Sequence, residues 1–223
     1  MTITQTDKAV IIASITTFLT FLMNAKFGSV WLLYLNILVV VGMFSYASRP
    51  WDRLSHLSRS AIVGVIASTT YLPLDLLFSE HVKLLSYLSL RDIRIAAVPL
   101  SLLLTWMIVI TIIIYIYHRL NDIWERPYIP AVFVGTIAFV GSTILDQFGS
   151  ARLWNWNAMR FSYFPYIGSV PVCVPIALAL TFLLSPYYLR RHHIVVGGIR
   201  CGLFIGIMQL LSFMLFHFIG ILR

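Results

Sequence analysis

Two aspartates end apolar segments of the chain, where a charged side chain is costly. Asp75 ends GVIASTTYLPLD at 64–75, and Asp146 ends GTIAFVGSTILD at 135–146. A carboxyl group in such a low-dielectric place is expected to remain protonated. A neutral carboxylic acid beside an apolar pocket can give its proton to a weak base such as an alkene or an epoxide. We predict that Asp75 and Asp146 are catalytic acids; the alternative is that each reaches the solvent interface or pairs with an arginine.

Aromatic and amide side chains follow Asp146 within a few residues. In LWNWN at 153–157, tryptophan alternates with asparagine, which indicates an extended segment rather than a smooth helix. Aromatic π faces stabilise a nearby cation by about 0.5–2 kcal/mol each, although an interfacial aromatic belt is the alternative. Gln209 and His217 share roughly one helical face, where interhelical hydrogen bonding is the commoner role. The residues predicted to bind substrate are Trp154, Trp156, Asn155, Tyr163, Tyr166 and Gln209.

The sequence lacks the motifs of several other chemistries. It contains no glycine-rich phosphate loop, no HExxH motif, no strong nucleophile motif and no aspartate-rich magnesium site of the prenyl-transferring kind. We therefore expect neither a diphosphate substrate nor a metal or other cofactor. Cys173 and Cys201 fall in apolar segments without metal-type spacing. The six acidic residues other than Asp75 and Asp146 lie in loops or tails, where solvated charges are expected.

The composition is that of an integral membrane protein. Hydrophobic residues make up 60% of the 223 positions and charged residues only 11%, whereas soluble domains average about 25% charged. A helix that crosses a bilayer needs roughly 20 mostly apolar residues. The first apolar run lacks a basic start and a cleavage site, so we expect a retained helix rather than a signal peptide. The predicted all-α bundle forms one domain over 1–223, with seven spans near 9–25, 28–48, 59–79, 93–117, 128–147, 164–186 and 194–222.

The net charge of +8 does not indicate a nucleic-acid partner. The sixteen Lys and Arg residues are scattered over every loop instead of clustering with aromatics as in a nucleic-acid groove. Basic loops are ordinary in membrane proteins, because they set orientation and meet anionic lipid. Their distribution favours a cytoplasmic N-terminus, with membrane lipids as the expected surroundings.

Two segments in the first half of the chain resemble two segments in the second half, and they occur in the same order. GVIASTTYLPLD at 64–75 matches GTIAFVGSTILD at 135–146, and VPLSLLLTW at 98–106 matches VPIALALTF at 174–182. These matches predict that helices 3 and 4 of the bundle are a copy of helices 5 and 6, a parallel repeat. Asp75 and Asp146 then end equivalent helices that cross in the same direction, near one face of the membrane. Chance similarity between apolar helices is the alternative.

The segment LDQFG…LWNWN…FPYIGSVPVCVPIALALTF, which extends to Phe182, resembles the carotenoid 1′,2′-hydratase family. There an acidic residue, an FG or similar turn and a paired-aromatic segment precede a G-V-P-x-x-V-P-L-x-W helix. The pattern is also similar to lycopene cyclase domains and seven-helix meroterpenoid cyclases. This chain departs from the hydratase pattern, since Asp146 replaces a glutamate, Trp154 and Trp156 replace tyrosines, and Phe182 takes the place of the tryptophan.

The resemblance implies a small seven-helix bundle without a metal, whose acidic residues protonate an isoprenoid. Carried onto this chain, it points to Asp146, Trp154, Trp156 and Gly168, while Asp75 follows from the internal repeat alone. The expected function is therefore a terpenoid or meroterpenoid cyclase with a lipophilic isoprenoid substrate, or a carotenoid-type hydratase if water is admitted. Two other classes stay open: a proton-coupled carrier, which predicts charges at the bilayer midplane and an aqueous path, and a non-enzymatic membrane partner.

Overall fold

The computed structural model describes residues 3–48, 55–88, 91–124, 126–150, 152–157, 165–189 and 193–221. Within these ranges the chain is mostly helical. The helices are α1 (Gln5–Phe27), α2 (Val30–Ala47), α3 (His56–Leu76), α4 (Leu100–Asn121), α5 (Tyr128–Gly149), α6 (Cys173–Leu183), α7 (Ser185–Tyr188) and α8 (Ile194–Ile221). The strands are β1 (Leu85–Tyr87), β2 (Arg94–Ile95), β3 (Val98–Pro99), β4 (Trp154–Trp156), β5 (Tyr166–Ile167) and β6 (Val170–Pro171).

Six helices in the described ranges, α1–α5 and α8, are long and apolar enough to cross a bilayer. The apolar helix α6 is shorter, with 11 residues. Large apolar side chains such as Trp31 and Leu38 are exposed on the outside of the bundle, which suits contact with lipid rather than water. The chain thus has the make-up of a multi-pass helical membrane protein, as predicted.

The predicted spans 93–117 and 164–186 begin too early. The hairpins β2–β3 and β5–β6 replace their first residues, and α4 and α6 follow these hairpins. Each hairpin ends in a proline, Pro99 or Pro171. Because proline has no backbone N–H to donate to a preceding turn, a helix can follow it but does not run through it undisturbed. Hydropathy alone does not reveal this break, since the hairpins are themselves largely apolar.

The end of α3 is irregular at the point that carries Asp75. Pro73 lies in the last turns of α3, where its missing N–H removes one helical hydrogen bond. The chain continues as a wide π turn, Leu77–His81, before β1 begins at Leu85. Wide turns of this kind are frequent at functional sites. Asp75 therefore lies between a proline and a π turn, where the helix ends.

The strands pair in three antiparallel units within the described part of the chain. β1 pairs with β4, with Tyr87 opposite Trp154. The hairpins β2–β3 and β5–β6 have two-residue loops that begin at Ala96 and Gly168, both in the left-handed region with φ of 54° and 62°. A positive φ at the first loop residue is what two-residue hairpin turns require. The β1–β4 pair thus joins the segment after α3 to the segment after α5.

Small residues let α3 approach its two main neighbours, α4 and α8. A Cβ at Gly64 of α3 would overlap Thr111 of α4, and one at Gly202 of α8 would overlap the backbone of Ala67. Close backbone contacts of this kind are typical of helix packing in membranes. The main buried core lies among α3, α4, α5, α6 and α8. This arrangement brings the ends of α3 and α5 to the same region of the bundle.

An ion pair ties the start of α1 to the end of α4. Arg119 donates to both carboxylate oxygens of Asp7, from Nε at 2.7 Å and from Nη2 at 2.8 Å, and Tyr115 Oη donates to Asp7 at 2.7 Å. Asp92 similarly accepts a hydrogen bond from Tyr34 Oη at 2.6 Å. The expectation of solvated charges is therefore wrong for Asp7 and Asp92, because tertiary packing brings donors to them from distant helices.

Candidate active site

A cavity of about 50 Å³ lies where α3, α5 and the β1–β4 pair meet, and both predicted acids line it. We name it the carboxyl chamber. Its walls come from five helices and two strands, so it forms only when these seven elements pack together. It is lined by Tyr71, Asp75, Leu85, Tyr87, Leu102, Trp106, Ile110, Asp146, Trp154, Trp156, Val174, Leu178, Ile205 and Gln209.

Asp75 is held in the chamber by a tyrosine. It is buried, and Tyr87 Oη donates a hydrogen bond to Asp75 Oδ2 at 2.6 Å. Burial, together with the charge of nearby Asp75, raises the pKa of Tyr87 well above its usual range, so the phenol keeps the proton that it donates. Tyr71, one turn before Asp75, donates to Gln209 Oε1 at 2.5 Å and links α3 to α8. Asp75 is thus an acceptor with a fixed donor.

Asp146 is equally buried but has no such donor. It is 3% exposed, and among the described residues its shielded Oδ2 atom has no hydrogen-bond partner. An ionised carboxylate without a partner is costly in an apolar surrounding, so the neutral acid is the form that fits this place. The two aspartates therefore differ: Asp75 accepts a hydrogen bond from a phenol, whereas the Oδ2 atom of Asp146 is left without a donor from the described ranges.

The β1–β4 pair supplies one wall of the chamber. In its antiparallel register Leu85 lies opposite Trp156, and Tyr87 lies opposite Trp154. Because side chains alternate along a strand, these four residues share the face that lines the chamber. Asn155, between the two tryptophans, is exposed. The alternating sequence WNW thus separates a chamber wall from the exterior.

Gly149 makes room for the indole of Trp154. A Cβ at Gly149 would overlap three atoms of the six-membered ring of Trp154, namely Cη2, Cζ2 and Cζ3. The indole is 5% exposed and also meets Phe21 of α1 edge-on, with ring centroids 6.0 Å apart. The glycine that follows Asp146 is therefore a packing requirement, because it lets an aromatic wall lie against the end of the helix that carries the acid.

Five of the eight predicted site residues line the chamber: Asp75, Asp146, Trp154, Trp156 and Gln209. Asn155 does not, because its side chain is on the exposed face of β4. Tyr166 is partly buried in the adjoining apolar cluster and is not among the lining residues, and Tyr163 lies outside the described residues. Gly168 is the loop residue of β5–β6, where a Cβ would overlap Gln147 Oε1, so the structure gives it a turn role.

Three aromatic residues that sequence reasoning missed also line the chamber: Tyr71, Tyr87 and Trp106. Tyr71 precedes Asp75 by four residues, a spacing that places both on one helical face, so a signal for it was present. The position of Tyr87 depends on the pairing of two strands that are distant in the sequence, which no local pattern reveals.

The chamber combines groups for proton transfer with an apolar, aromatic lining. Its carboxyls, phenols and amide come from Asp75, Asp146, Tyr71, Tyr87 and Gln209. In the described ranges, no group of three or more His, Cys, Asp or Glu side chains is arranged to hold a metal ion. The geometry is suited to giving a proton to a weak base, stabilising a cation against ring faces and taking a proton back.

Most residues that line the chamber lie in a part of the chain that matches a family model. A family model described as a domain of unknown function, DUF6989, matches residues 72–220, more than half of the chain. The chain belongs to the DUF6989 family. The DUF6989 match includes both aspartates and the six strands of the described ranges, whereas α1 and α2 precede it. No curated protein and no solved structure matches the chain.

Proposed function

We propose that this protein is a metal-independent membrane enzyme that protonates an epoxide or alkene of a lipid-soluble isoprenoid, in the manner of a terpenoid or meroterpenoid cyclase. The observation that carries the proposal is Asp146, a buried acid whose Oδ2 has no partner among the described residues, in an aromatic chamber that also holds Asp75. The resemblance to carotenoid 1′,2′-hydratases and lycopene cyclase domains suggests the same class of chemistry.

Asp146 is the proton donor in this proposal. Its carboxyl O–H transfers a proton to the epoxide oxygen, and the C–O bond breaks to leave a hydroxyl group and a carbocation. With an alkene, the π electron pair forms the new C–H bond and the other carbon becomes the cation. The indole faces of Trp154 and Trp156 stabilise the cation by about 0.5–2 kcal/mol each. A second C=C bond of the substrate then attacks the cation and closes a ring.

Asp75 takes the final proton. Loss of a proton from the carbon next to the cation forms the C=C bond of the product and leaves Asp75 protonated. The hydrogen bond that Tyr87 donates to Asp75 Oδ2 stabilises the carboxylate that performs this step. Transfer of a proton from Asp75 back to Asp146 restores the starting state, so substrate and product have the same composition. If water attacks the cation instead, Asp75 takes a proton from that water, the product gains one water and the same site acts as a hydratase.

We also propose seven membrane crossings, with α6 and α7 together forming one of them, and a duplication that relates α3–α4 to α5–α6. Each pair has the same order of features: a helix ending near an aspartate, a strand, a hairpin and a second helix. Val98–Pro99 and Val170–Pro171 occupy the same position in the two hairpins. This equivalence is shifted by four residues from the sequence match, which pairs 98–106 with 174–182. With a cytoplasmic N-terminus, the chamber lies near the opposite face of the membrane.

The proposal is tested by removing each acid while keeping its shape. Wild type, Asp146→Asn and Asp75→Asn are expressed in a host that makes polyprenyl and epoxy-polyprenyl precursors, and lipid extracts are analysed by liquid chromatography and mass spectrometry. Asp122→Asn is the matched control, because Asp122 is 43% exposed and pairs with His56, away from the chamber. The amount of each variant in the membrane is measured on the same samples.

A general acid contributes about 100-fold or more to a rate, so Asp146→Asn is expected to lower product by at least that factor, and Asp122→Asn to leave it unchanged. Product of unchanged mass indicates cyclisation, and product heavier by one water indicates hydration. Product that survives both chamber substitutions refutes the mechanism. If wild type makes no product from any precursor, the result contradicts the enzyme proposal and favours a carrier or a non-enzymatic membrane partner.

A further inference from the structure

A second and larger cavity lies beside the carboxyl chamber. It has a volume of about 280 Å³, and α1, α4, α5 and α6 form its walls. A cavity of about 150 Å³ lined by apolar side chains is enough to bind benzene, so this one has room for a longer hydrocarbon. We name it the tail cavity, and its walls include Phe18, Val109, Ile113, Ile137, Gly141 and Leu145.

The tail cavity adjoins the carboxyl chamber, because the two cavities share lining residues. Trp106, Ile110 and Leu178 line both. A small cavity of about 20 Å³ lies between them, with Asp146 and Leu145 among its walls. On α5, nine residues separate Ile137 from Asp146, a rise of about 13 Å at 1.5 Å per residue. The three cavities therefore lie side by side in an elongated series that ends at the acids.

The three hydroxyl side chains that line the tail cavity already have hydrogen bonds within the protein. Ser14 Oγ donates to the carbonyl of Val10 at 2.8 Å, and Ser142 Oγ donates to that of Phe139 at 3.1 Å. Thr17 Oγ1 accepts from Asn36 Nδ2 at 3.1 Å. The cavity thus offers a ligand few free polar groups, and an apolar ligand leaves these hydroxyls hydrogen-bonded. This favours a hydrocarbon occupant.

We propose that the tail cavity binds the hydrocarbon tail of the same isoprenoid molecule whose reacting end lies in the carboxyl chamber. The substrate class is therefore an elongated, multi-unit isoprenoid that lies along α5 and enters from the lipid past α1. Phe18 of α1 is 40% exposed and lines the cavity, so the outer wall borders the membrane. The identity of the reacting end rests on the proposed function; the occupancy of the cavity by a tail does not.

Gly141 is the position at which the path can be blocked without disturbing the packing. A Cβ at Gly141 meets no atom within 4 Å, although the residue lines the tail cavity, so a larger side chain would extend into open cavity. Gly42 of α2 also has nothing within 4 Å, but it lies on the exposed side of its helix. Gly141→Leu therefore blocks the cavity, and Gly42→Leu is its matched control.

The test uses a photoreactive probe so that binding is read without catalysis. Purified full-length protein in phosphatidylcholine nanodiscs is irradiated with a geranylgeranyl epoxide that carries a diazirine at the end opposite the epoxide. Labelled peptides are identified by mass spectrometry, with and without excess unlabelled epoxide. Turnover of the geranylgeranyl epoxide and of a short single-unit isoprenoid epoxide is measured for the same variants.

Wild type and Gly42→Leu are expected to be labelled on the cavity-lining parts of α1, α4 and α5, and unlabelled epoxide should compete. Gly141→Leu should lose at least tenfold of this labelling and of long-substrate turnover, while turnover of the short epoxide changes by less than twofold. Labelling that persists in Gly141→Leu overturns the inference, as does labelling that the epoxide cannot displace, since a membrane lipid then occupies the cavity. A third outcome separates the two proposals. If unlabelled epoxide competes with the labelling and Gly141→Leu abolishes it, but no product depends on Asp146, the tail cavity is supported and only the proposed function is refuted.

Discussion

Replacement of Gly149 by alanine should destabilise the protein through a single contact. The added Cβ overlaps the six-membered ring of Trp154. That ring cannot easily move, because it is 5% exposed and its strand is paired with β1. Overpacking of this kind costs about 1–3 kcal/mol. Exchange of glycine for alanine inside a helix would in turn stabilise it by up to about 1 kcal/mol, but this gain is smaller here because Gly149 is the last residue of α5. We expect a net loss of about 1–2 kcal/mol.

The two cysteines provide a convenient assay for this loss. Cys173 and Cys201 are the only cysteines of the chain; both are free and 0% exposed. A thiol-reactive maleimide dye therefore reports unfolding of the detergent-solubilised protein during a thermal ramp. Because 1 kcal/mol shifts the Tm of a protein of this size by about 2–4 °C, Gly149→Ala should lower Tm by about 2–8 °C. Gly42→Ala, in open space on α2, should leave Tm unchanged or raise it slightly.

A second substitution shows whether overlap with the Trp154 indole causes the loss of stability in Gly149→Ala. Trp154→Phe removes the atoms that the new Cβ would meet, so Gly149→Ala should cost much less in that background. The coupling between the two substitutions is expected to be about 1–2 kcal/mol, within the range for residues in direct contact. If Gly149→Ala behaves like Gly42→Ala, or if it costs the same with and without the indole, then the contact with Trp154 does not limit stability.

Two further predictions concern stability and use the same dye assay. Ala96 has a φ of 54°, so Ala96→Gly should stabilise the protein by about 0.5 kcal/mol. Gly168→Ala should destabilise it by about 1 kcal/mol or more, because the added Cβ also displaces Gln147. Equal Tm changes for the two substitutions would contradict this prediction. Arg119→Gln removes a two-point ion pair with Asp7 whose side chains are 19% and 14% exposed, and should cost about 1–2 kcal/mol, between the values for surface and buried pairs. An unchanged Tm would show that the pair contributes nothing.

Much of the candidate site was predictable because helical spacing and hydropathy are local properties. Asp75 and Asp146 stood out as charges at the ends of apolar runs, and both line one chamber. The alternation in LWNWN indicated an extended segment, and the structure has β4 there. The same alternation decides which residues face inwards, and here the prediction failed for Asn155, because one period-2 pattern is compatible with either face until a partner strand is known.

Composition and periodicity were enough to predict a multi-pass bundle of apolar helices with two acids at helix ends and an extended aromatic segment beyond one of them, because both follow directly from residue types. Only the packing of the helices shows that Tyr87 donates to Asp75 while Asp146 Oδ2 has no partner in the described part of the chain. It also decided that Gly149 seats Trp154 and that a tail cavity adjoins the chamber. These features depend on contacts between segments far apart in the chain, and such contacts exist only after the helices have packed.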